Sequence, residues 1–275
     1  MSKTNLILSF LFLLLSSLPN PSSPSTFSFI YGGCSQIKYD PSSSYQFNLN
    51  SLLTSLLNSA NFSPYNKYTI NAPNPDPTLY GVYQCRGDIS TADCSSCVRS
   101  AISQIGILCL DTSGATIQLD GCYVKYDNVT FLGVQDKSLV LKKCGPSTGR
   151  YDTDMLSRRD EVLTSLGGGT GMYRVGSIGY VSGVGQCVGD LDGGECTDCV
   201  SEAVERLRGG CGWSVSGAVY LGKCYAQYVA GGAYTSSGSS GAVSSSNEGS
   251  GQPVSWGGWW GLAMWACLMN LLKYP

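Results

Sequence analysis

The chain has 275 residues, with 17 Lys and Arg against 19 Asp and Glu, a formal net charge of −2 and no histidine. Charged residues make up 13%, about half the usual share, so no basic field for nucleic acid and no acidic tail is present. The missing imidazole removes the usual general base near neutral pH, the partner that activates a catalytic Ser or Cys, and the commonest zinc ligand.

In chain order, Lys3 precedes Leu6–Leu15, a largely apolar run of ten residues, and small or turn-forming residues follow from Ser16 to Thr26. A positive start, a short apolar core and a small-residue exit make a secretory signal. Ten residues are too few to span a bilayer, and Asn20, Pro21 and Pro24 break any helix at once. Residues 1–26 therefore read as a signal peptide, with the mature chain starting near Phe27. Its 13 cysteines then meet an oxidising compartment, where disulfides are the default.

Leu49, Leu52, Leu53, Leu56 and Leu57 share one helical face. Asn61-Phe62-Ser63 is a glycosylation sequon made less favourable by Pro64. Arg86-Gly87-Asp88 spells an integrin-type tripeptide; because Val188-Gly189-Asp190 stands at the same place later on, a shared turn is the simpler reading. Cys94, Cys97, Val98, Ala101, Ile102 and Ile105 predict a second helix, and Ala115–Leu119 and Cys122–Tyr126 read as strands. Asn128-Val129-Thr130 is a second sequon.

The order then starts again. Met155, Val162, Leu163 and Leu166 predict a helix; Cys196, Cys199, Val200, Ala203, Val204 and Leu207 predict another, stopped by Gly209-Gly210; Ala218–Leu221 and Cys224–Tyr228 predict strands. Cys85, Cys94, Cys97, Cys109 and Cys122 follow the spacing C-x8-C-x2-C-x11-C-x12-C, and Cys187, Cys196, Cys199, Cys211 and Cys224 repeat it 102 residues later. The leading cysteines, Cys34 and Cys144, differ in their gap to the next, 51 against 43. Gly81-Val82-x-Gln84-Cys85-x-Gly87-Asp88 is matched by Gly183-Val184-x-Gln186-Cys187-x-Gly189-Asp190, and Cys122-Tyr123-x-x-Tyr126 by Cys224-Tyr225-x-x-Tyr228. This is a tandem duplication of a domain of about a hundred residues.

Two helices on an antiparallel sheet, an α+β unit, is the economical layer arrangement for each copy. Tyr123, Tyr126, Tyr225 and Tyr228 lie in half-buried strands, where packing is a simpler role than a contact patch. Cys94 and Cys97 sit one turn apart on one helical face, so each can staple the helix to a different element. Six cysteines allow fifteen pairings, and each closed loop of tens of residues adds about 3–4 kcal/mol on the chain-entropy argument. C-x2-C can also be half of a zinc site. The flanking cysteines, the signal peptide and the lack of histidine favour bridges, so no metal and no cofactor is expected.

Gly231–Gln252 is Gly/Ser-rich and reads as a flexible linker. Val254–Leu272 follows, nineteen residues without a charge, ahead of Lys273. At a 1.5 Å rise it covers about 28 Å, enough for a membrane span with Lys273 as the cytoplasmic stop. Small residues at Ser245–Asn247, a polar spacer and a hydrophobic tail fit a lipid-anchor signal as the alternative. Cys267, inside this segment, is expected to stay unpaired.

The doubled six-cysteine frame resembles the plant cysteine-rich secretory repeat, the ginkbilobin-homologous domain found in a seed antifungal lectin and in cysteine-rich receptor-like kinases. Its hallmark C-x8-C-x2-C stands at Cys85–Cys97 and Cys187–Cys199. The resemblance implies two helices against a five-stranded antiparallel sheet, with bridges Cys34–Cys109, Cys85–Cys94 and Cys97–Cys122 and, in the second copy, Cys144–Cys211, Cys187–Cys196 and Cys199–Cys224. The expected organisation is a signal peptide over 1–26, repeats over 27–131 and 137–232, a linker over 233–253 and a transmembrane helix over 254–272.

Two repeats, a linker, one hydrophobic segment and no kinase resemble the plasmodesmata-located proteins. That likeness implies a non-enzymatic, type I membrane protein of the plant plasma membrane at plasmodesmata, with its ectodomain in the apoplast. It would modulate cell-to-cell trafficking and callose deposition through contacts with other extracellular or membrane proteins, further copies of itself included, and with no nucleic acid. The alternative is a cell-surface, carbohydrate-binding antifungal defence protein. The mannose-binding relative places an Asn after the first cysteine, an Arg seven after the fifth and a Glu five after the sixth. Ser35, Thr116 and Asp127 stand there in the first copy and Gly145, Ala218 and Val229 in the second, so the guanidinium that would grip sugar hydroxyls is missing from both. Contact with a cell-wall carbohydrate by another surface stays open.

Overall fold

A computed structural model describes residues 27–71, 77–148 and 152–231. The signal peptide, most of the Gly/Ser stretch, the hydrophobic segment over 254–272 and Cys267 lie outside the described residues.

The first repeat runs β1 (Phe29–Cys34), α1 (Ser44–Ser59), β2 (Tyr65–Ile70), β3 (Leu79–Cys85), α2 (Thr91–Leu108), β4 (Gly114–Leu119) and β5 (Cys122–Asp127). The second runs β6 (Leu139–Cys144), α3 (Thr153–Gly168), β7 (Tyr173–Ile178), β8 (Val181–Cys187), α4 (Gly193–Gly210), β9 (Ser216–Leu221) and β10 (Cys224–Ala230). Each makes a five-stranded antiparallel sheet, in the orders β1-β4-β5-β3-β2 and β6-β9-β10-β8-β7. The class is α+β, with the two helices of each repeat on one sheet face.

Local chemistry starts the helices. Side chains of Ser43, Ser90, Asp152 and Asp192 accept from backbone N–H groups in the first turns of α1 to α4, and at α4 the Glu195 carboxylate returns the bond to the Asp192 N–H. Gly209 and Gly210 are the last two residues of α4 rather than its stop; the chain leaves the helix at Cys211, which is bridged to Cys144. Tertiary attachment overrides the local preference of glycine there.

The predicted faces point inward. Leu49, Leu52 and Leu56 of α1 and Val98, Ala101 and Ile105 of α2 are buried against Leu79, Tyr83, Ile117 and Val124. Val162, Leu163, Leu166, Val200, Val204 and Leu207 do the same in the second repeat. The helices press so close that a Cβ on Gly81 would lie 3.0 Å from Leu52 carbons, and one on Gly183 2.8 Å from Val162 Cγ1. That contact is why glycine opens the repeated motif in both copies. Tyr126 and Tyr228 close their cores, donating to the carbonyls of Thr112 and Ser214, both at 2.9 Å.

Six disulfides join Cys34–Cys109, Cys85–Cys94, Cys97–Cys122, Cys144–Cys211, Cys187–Cys196 and Cys199–Cys224. Cys94 ties α2 to β3 and Cys97 ties it to β5, so two neighbours on one helical face hold two different strands.

Candidate binding surfaces and the seam between the repeats

Alternation along the strands leaves each sheet a face without helices. Val82, Gln84 and Tyr123 lie on that face of the first repeat; Val184, Gln186 and Tyr225 lie on it in the second. The two faces meet. Val82, Tyr123, Phe131 and Val188 form a buried cluster, with Tyr65, Tyr80 and Leu132 packed against it.

The seam is built twice, in opposite senses. The Gln84 carboxamide oxygen accepts from the Gly189 N–H at 2.9 Å, and Gln186 donates to the Cys85 carbonyl at 2.9 Å. A Cβ on Gly189 would lie 2.9 Å from Tyr65 Cγ, and one on Gly87 2.4 Å from Tyr173 Cγ. Tyr65 pairs with Gln84 and Tyr173 with Gln186, the same register position in each sheet. The repeats therefore face each other through like surfaces, as an isologous dimer would, inside one chain. The Gly-Val-x-Gln-Cys-x-Gly-Asp motif divides its labour: its first glycine admits the helix, while its Gln and second glycine make the seam.

Charge is buried beside it. Lys223 and Asp190 form an ion pair with side chains 2% and 0% exposed. The same Asp190 oxygen accepts from the Gly133 N–H at 2.9 Å, tying the pair to the segment that leaves the first repeat. Phe131 carries Lys125 Nζ at 4.5 Å and Lys223 Nζ at 5.1 Å from its ring centroid, one lysine from each repeat. Burial lowers the Lys223 pKa, opposed by the hydrogen bond and charge of Asp190. Burial, and next the Asp190 charge, push the Tyr65 phenol up to about 12. In the first repeat the counterpart Asp88 is served by Arg86, 2.5 Å away, which also donates to the Asp120 carbonyl at 2.9 Å. The tripeptide Arg86-Gly87-Asp88 is thus a turn closed on itself, with Gly87 against Tyr173.

A cavity lies along the seam, lined by Gln84, Arg86, Gln118, Asp120, Gln186 and Lys223 with tyrosines around them. Its volume is about 30 Å³. That holds a water or two, whereas a small-molecule site needs several hundred Å³. The joint combines an apolar cluster with buried polar pairs, and it encloses no room for a sugar ring.

The three sugar-site positions fall together at one end of the first sheet. The Ser35 N–H donates to the Gly114 carbonyl at 2.8 Å; Gly114 pairs with Asp127, and Thr116 with Gly33 and Lys125. The Ser35 and Ser113 hydroxyls are 3.0 Å apart, and Asp127 accepts from the Val129 N–H at 3.1 Å. What gathers is a Ser35 hydroxyl and an Asp127 carboxylate already serving their own turns, and Thr116 in mid-strand. In the second repeat, Gly145 packs on Ser216, which pairs with Val229, and Ala218 pairs with Gln227, so that corner carries no charged side chain at any of the three positions. Among the described residues no group of three His, Cys, Asp or Glu is placed to hold a metal.

The sequons differ. Asn128 is half-buried after β5. Asn61 is exposed, but its amide donates to the Asn58 carbonyl at 3.1 Å and accepts from the Ser95 hydroxyl at 2.9 Å, joining the end of α1 to α2. Of the four tyrosines, Tyr126 and Tyr228 belong to the repeat cores and Tyr123 to the seam cluster, while Tyr225 stacks on Tyr220 at 5.2 Å. Gln84, Gln186, Asp190 and Lys223 escaped sequence reasoning as functional positions. The signal for the glutamines was present, a repeated amide beside a cysteine, but nothing local says what such an amide touches.

The chain matches the salt stress response/antifungal family over residues 33–129 and 143–230. It is 53% identical to plasmodesmata-located protein 7 of Arabidopsis thaliana over 226 residues, covering 82% of this chain and 76% of that protein. It is 50% identical to plasmodesmata-located protein 6 of the same plant over 231 residues, covering 82% and 80%. The crystal structure of the tandem DUF26 ectodomain of the Arabidopsis thaliana cysteine-rich receptor-like protein PDLP5 superposes with a TM-score of 0.71 at 47% identity, covering 74% of this chain and 100% of that one.

Proposed function

The chain belongs to the salt stress response/antifungal family, and from that premise we propose that it is a non-enzymatic, apoplast-facing binding module of the plasmodesma. It is held at the plasma membrane by the segment over 254–272 in a type I orientation, and it acts on cell-to-cell trafficking and callose deposition by protein–protein contact. The observation that carries this reading is the likeness to plasmodesmata-located proteins along 82% of the chain, with the family match falling on both repeats. The geometry supports contact over catalysis or sugar capture. Among the described residues every cysteine is in a bridge, the seam cavity has room only for water, and no guanidinium stands at the sugar-site corners.

The test is a full-length fusion with a fluorescent protein placed in the Gly/Ser stretch, imaged in plant epidermal cells with a callose stain. Paired puncta at the wall coinciding with callose are expected. A uniform surface signal or free secretion would sink the reading and turn attention to glycan arrays.

A further inference from the structure

β1 and β6 stand at the margins of their sheets, and no strand among the described residues pairs beyond either. A strand in that place presents a row of unpaired N–H and C=O groups, which proteins blunt with charge. β6 is guarded in this way. It carries Lys142 and Lys143, and the Lys142 stem crosses the end of α4, its Cδ 2.8 Å from where a Gly210 Cβ would lie. β1 has no such guard and no charged residue. Gly32 and Gly33, opposite Ile117 and Thr116, hold the places that Lys142 and Lys143 take opposite Val219 and Ala218.

The register says which groups are open. The Ser35 N–H donates to the Gly114 carbonyl, and antiparallel pairing turns alternate residues to opposite edges. Gly33 therefore faces β4, while the N–H and C=O of Gly32 and Cys34 point outward, and no described backbone group takes them. Beside this edge, on the side that bears the helices, lies an apolar shelf. The Phe29 ring, 51% exposed, passes 3.4 Å from where a Gly32 Cβ would lie. Leu108, 54% exposed, ends α2 with its carbonyl 3.5 Å from Cys34 Sγ, and Ile107 before it is exposed as well. Leu108 stands where the second repeat has Gly210. One exchange thus takes the lysine off the edge and sets a leucine beside it.

We propose that the β1 edge takes an extended segment of a partner protein as a further strand, paired through Gly32 and Cys34. The segment carries apolar side chains at alternate positions, set on Phe29, Leu108 and Ile107. Backbone geometry selects this occupant. Outward N–H and C=O groups on every second residue are matched by the ladder of another extended polypeptide, and a sugar or a lipid surface has no such repeat. Glycine in a strand lets a second backbone come close and leaves room for the side chains it brings. A second copy's β1 would bring its own Gly32 and Gly33 to that place and leave the room unfilled. The Gly/Ser stretch over 231–252 lacks the alternating apolar residues. The partner is therefore a different sequence.

In purpose this rests on the protein–protein contact proposed above, to which it gives a surface and a partner chemistry. Its test does not depend on where the protein resides.

The experiment uses the full chain in detergent with its disulfides intact, and as probe the capped, dye-labelled peptide Lys-Thr-Val-Thr-Val-Thr-Lys. Expected are saturable binding by fluorescence anisotropy and slowed hydrogen exchange over Phe29–Cys34, with no slowing over Leu139–Cys144. Methylating the peptide's backbone nitrogens removes its ladder donors, keeps every side chain, and should abolish both signals. Gly32→Lys with Gly33→Lys copies the guard of β6 and should weaken binding about tenfold or more. If that variant fails to fold, the methylated peptide carries the test on the unmodified chain. No binding, equal binding of the methylated peptide, or equal protection of β6 would each overturn the proposal. So would slow exchange over Phe29–Cys34 in the chain alone together with a dimer by light scattering, which would put a second copy on the edge. Peptide binding without plasmodesmal puncta would leave the edge standing and defeat the localisation; puncta without peptide binding would do the reverse.

Discussion

Replacing Lys223 by methionine isolates what the buried ion pair does. The side chain is 2% exposed and its partner Asp190 is fully buried. Methionine keeps an apolar stem near the Phe131 ring, so volume is nearly conserved and only the charge goes. Asp190 would keep the Gly133 N–H on one oxygen, while its other oxygen is without a partner already. Breaking one side of a buried pair costs about 3–5 kcal/mol. For a chain with about 200 ordered residues, each kcal/mol moves the melting temperature by about 2–4 °C, so a fall of roughly 10 °C is expected. Removing both charges, Lys223→Met with Asp190→Leu, should recover most of it, leaving about 1 kcal/mol for the unsatisfied Gly133 N–H. Thermal and urea unfolding of the secreted chain with disulfides intact measures all three proteins. Because the pair reaches Gly133 and Phe131 of the first repeat, the single variant should also split unfolding into two steps as the repeats uncouple. A single variant within 1 kcal/mol of the parent, or a double variant worse than both singles together, would refute the reasoning.

Gly87→Ala drives a Cβ to 2.4 Å from Tyr173 Cγ, at the root of a ring that cannot swing clear, and should cost about 1–3 kcal/mol with faster proteolysis in the segment joining the repeats. Gly33→Ala, with nothing within 4 Å of its new methyl, is the control and should stay within about 0.5 kcal/mol. Arg174→Gln removes donors to the carbonyls of Leu166 and Gly167 at the end of α3 and of Gly171 in the loop after it. It should cost about 2–4 kcal/mol, with hydrogen exchange speeding first in the last turn of α3. At high pH, Tyr65 and Tyr126 hold phenols pushed up to about 12, chiefly by burial. Their folded values exceed the unfolded value of about 10, so their contribution is complete below pH ~10 and lost as pH rises towards ~12. Lys223, lowered by burial, works the other way just below its usual value. A urea midpoint that does not fall between pH ~10 and ~12, while phenolate absorbance rises, would contradict the burial of these rings.

Much of each repeat was legible before any coordinates. The 3.6-residue pattern of Leu49, Leu52 and Leu56 reports a buried stripe because a helix of this length must cover it, and all three are buried. Strands with one clean face, such as Ala115–Leu119, showed themselves by alternation; β3 did not stand out as a strand, since Leu79, Val82, Tyr83 and Cys85 are buried on both of its sides. The sugar-site corner could be judged from residue types alone, because a missing guanidinium is missing in any fold. The extent of α4 could not, because the bridge at Cys211 carries the helix through two glycines that would otherwise end it.

The sequence by itself determined that there are two copies of one cysteine frame and which side of each helix is apolar. Those are properties of spacing, and spacing is local. Only the tertiary structure decided what covers the helix-free face of each sheet. Residues of mixed polarity such as Val82, Gln84 and Tyr123 carry no period that names a partner. Gln84 reaches Gly189, and Asp190 finds Lys223 33 residues away, because the sheets pack face to face and a buried amide or carboxylate must find its partner within the fold.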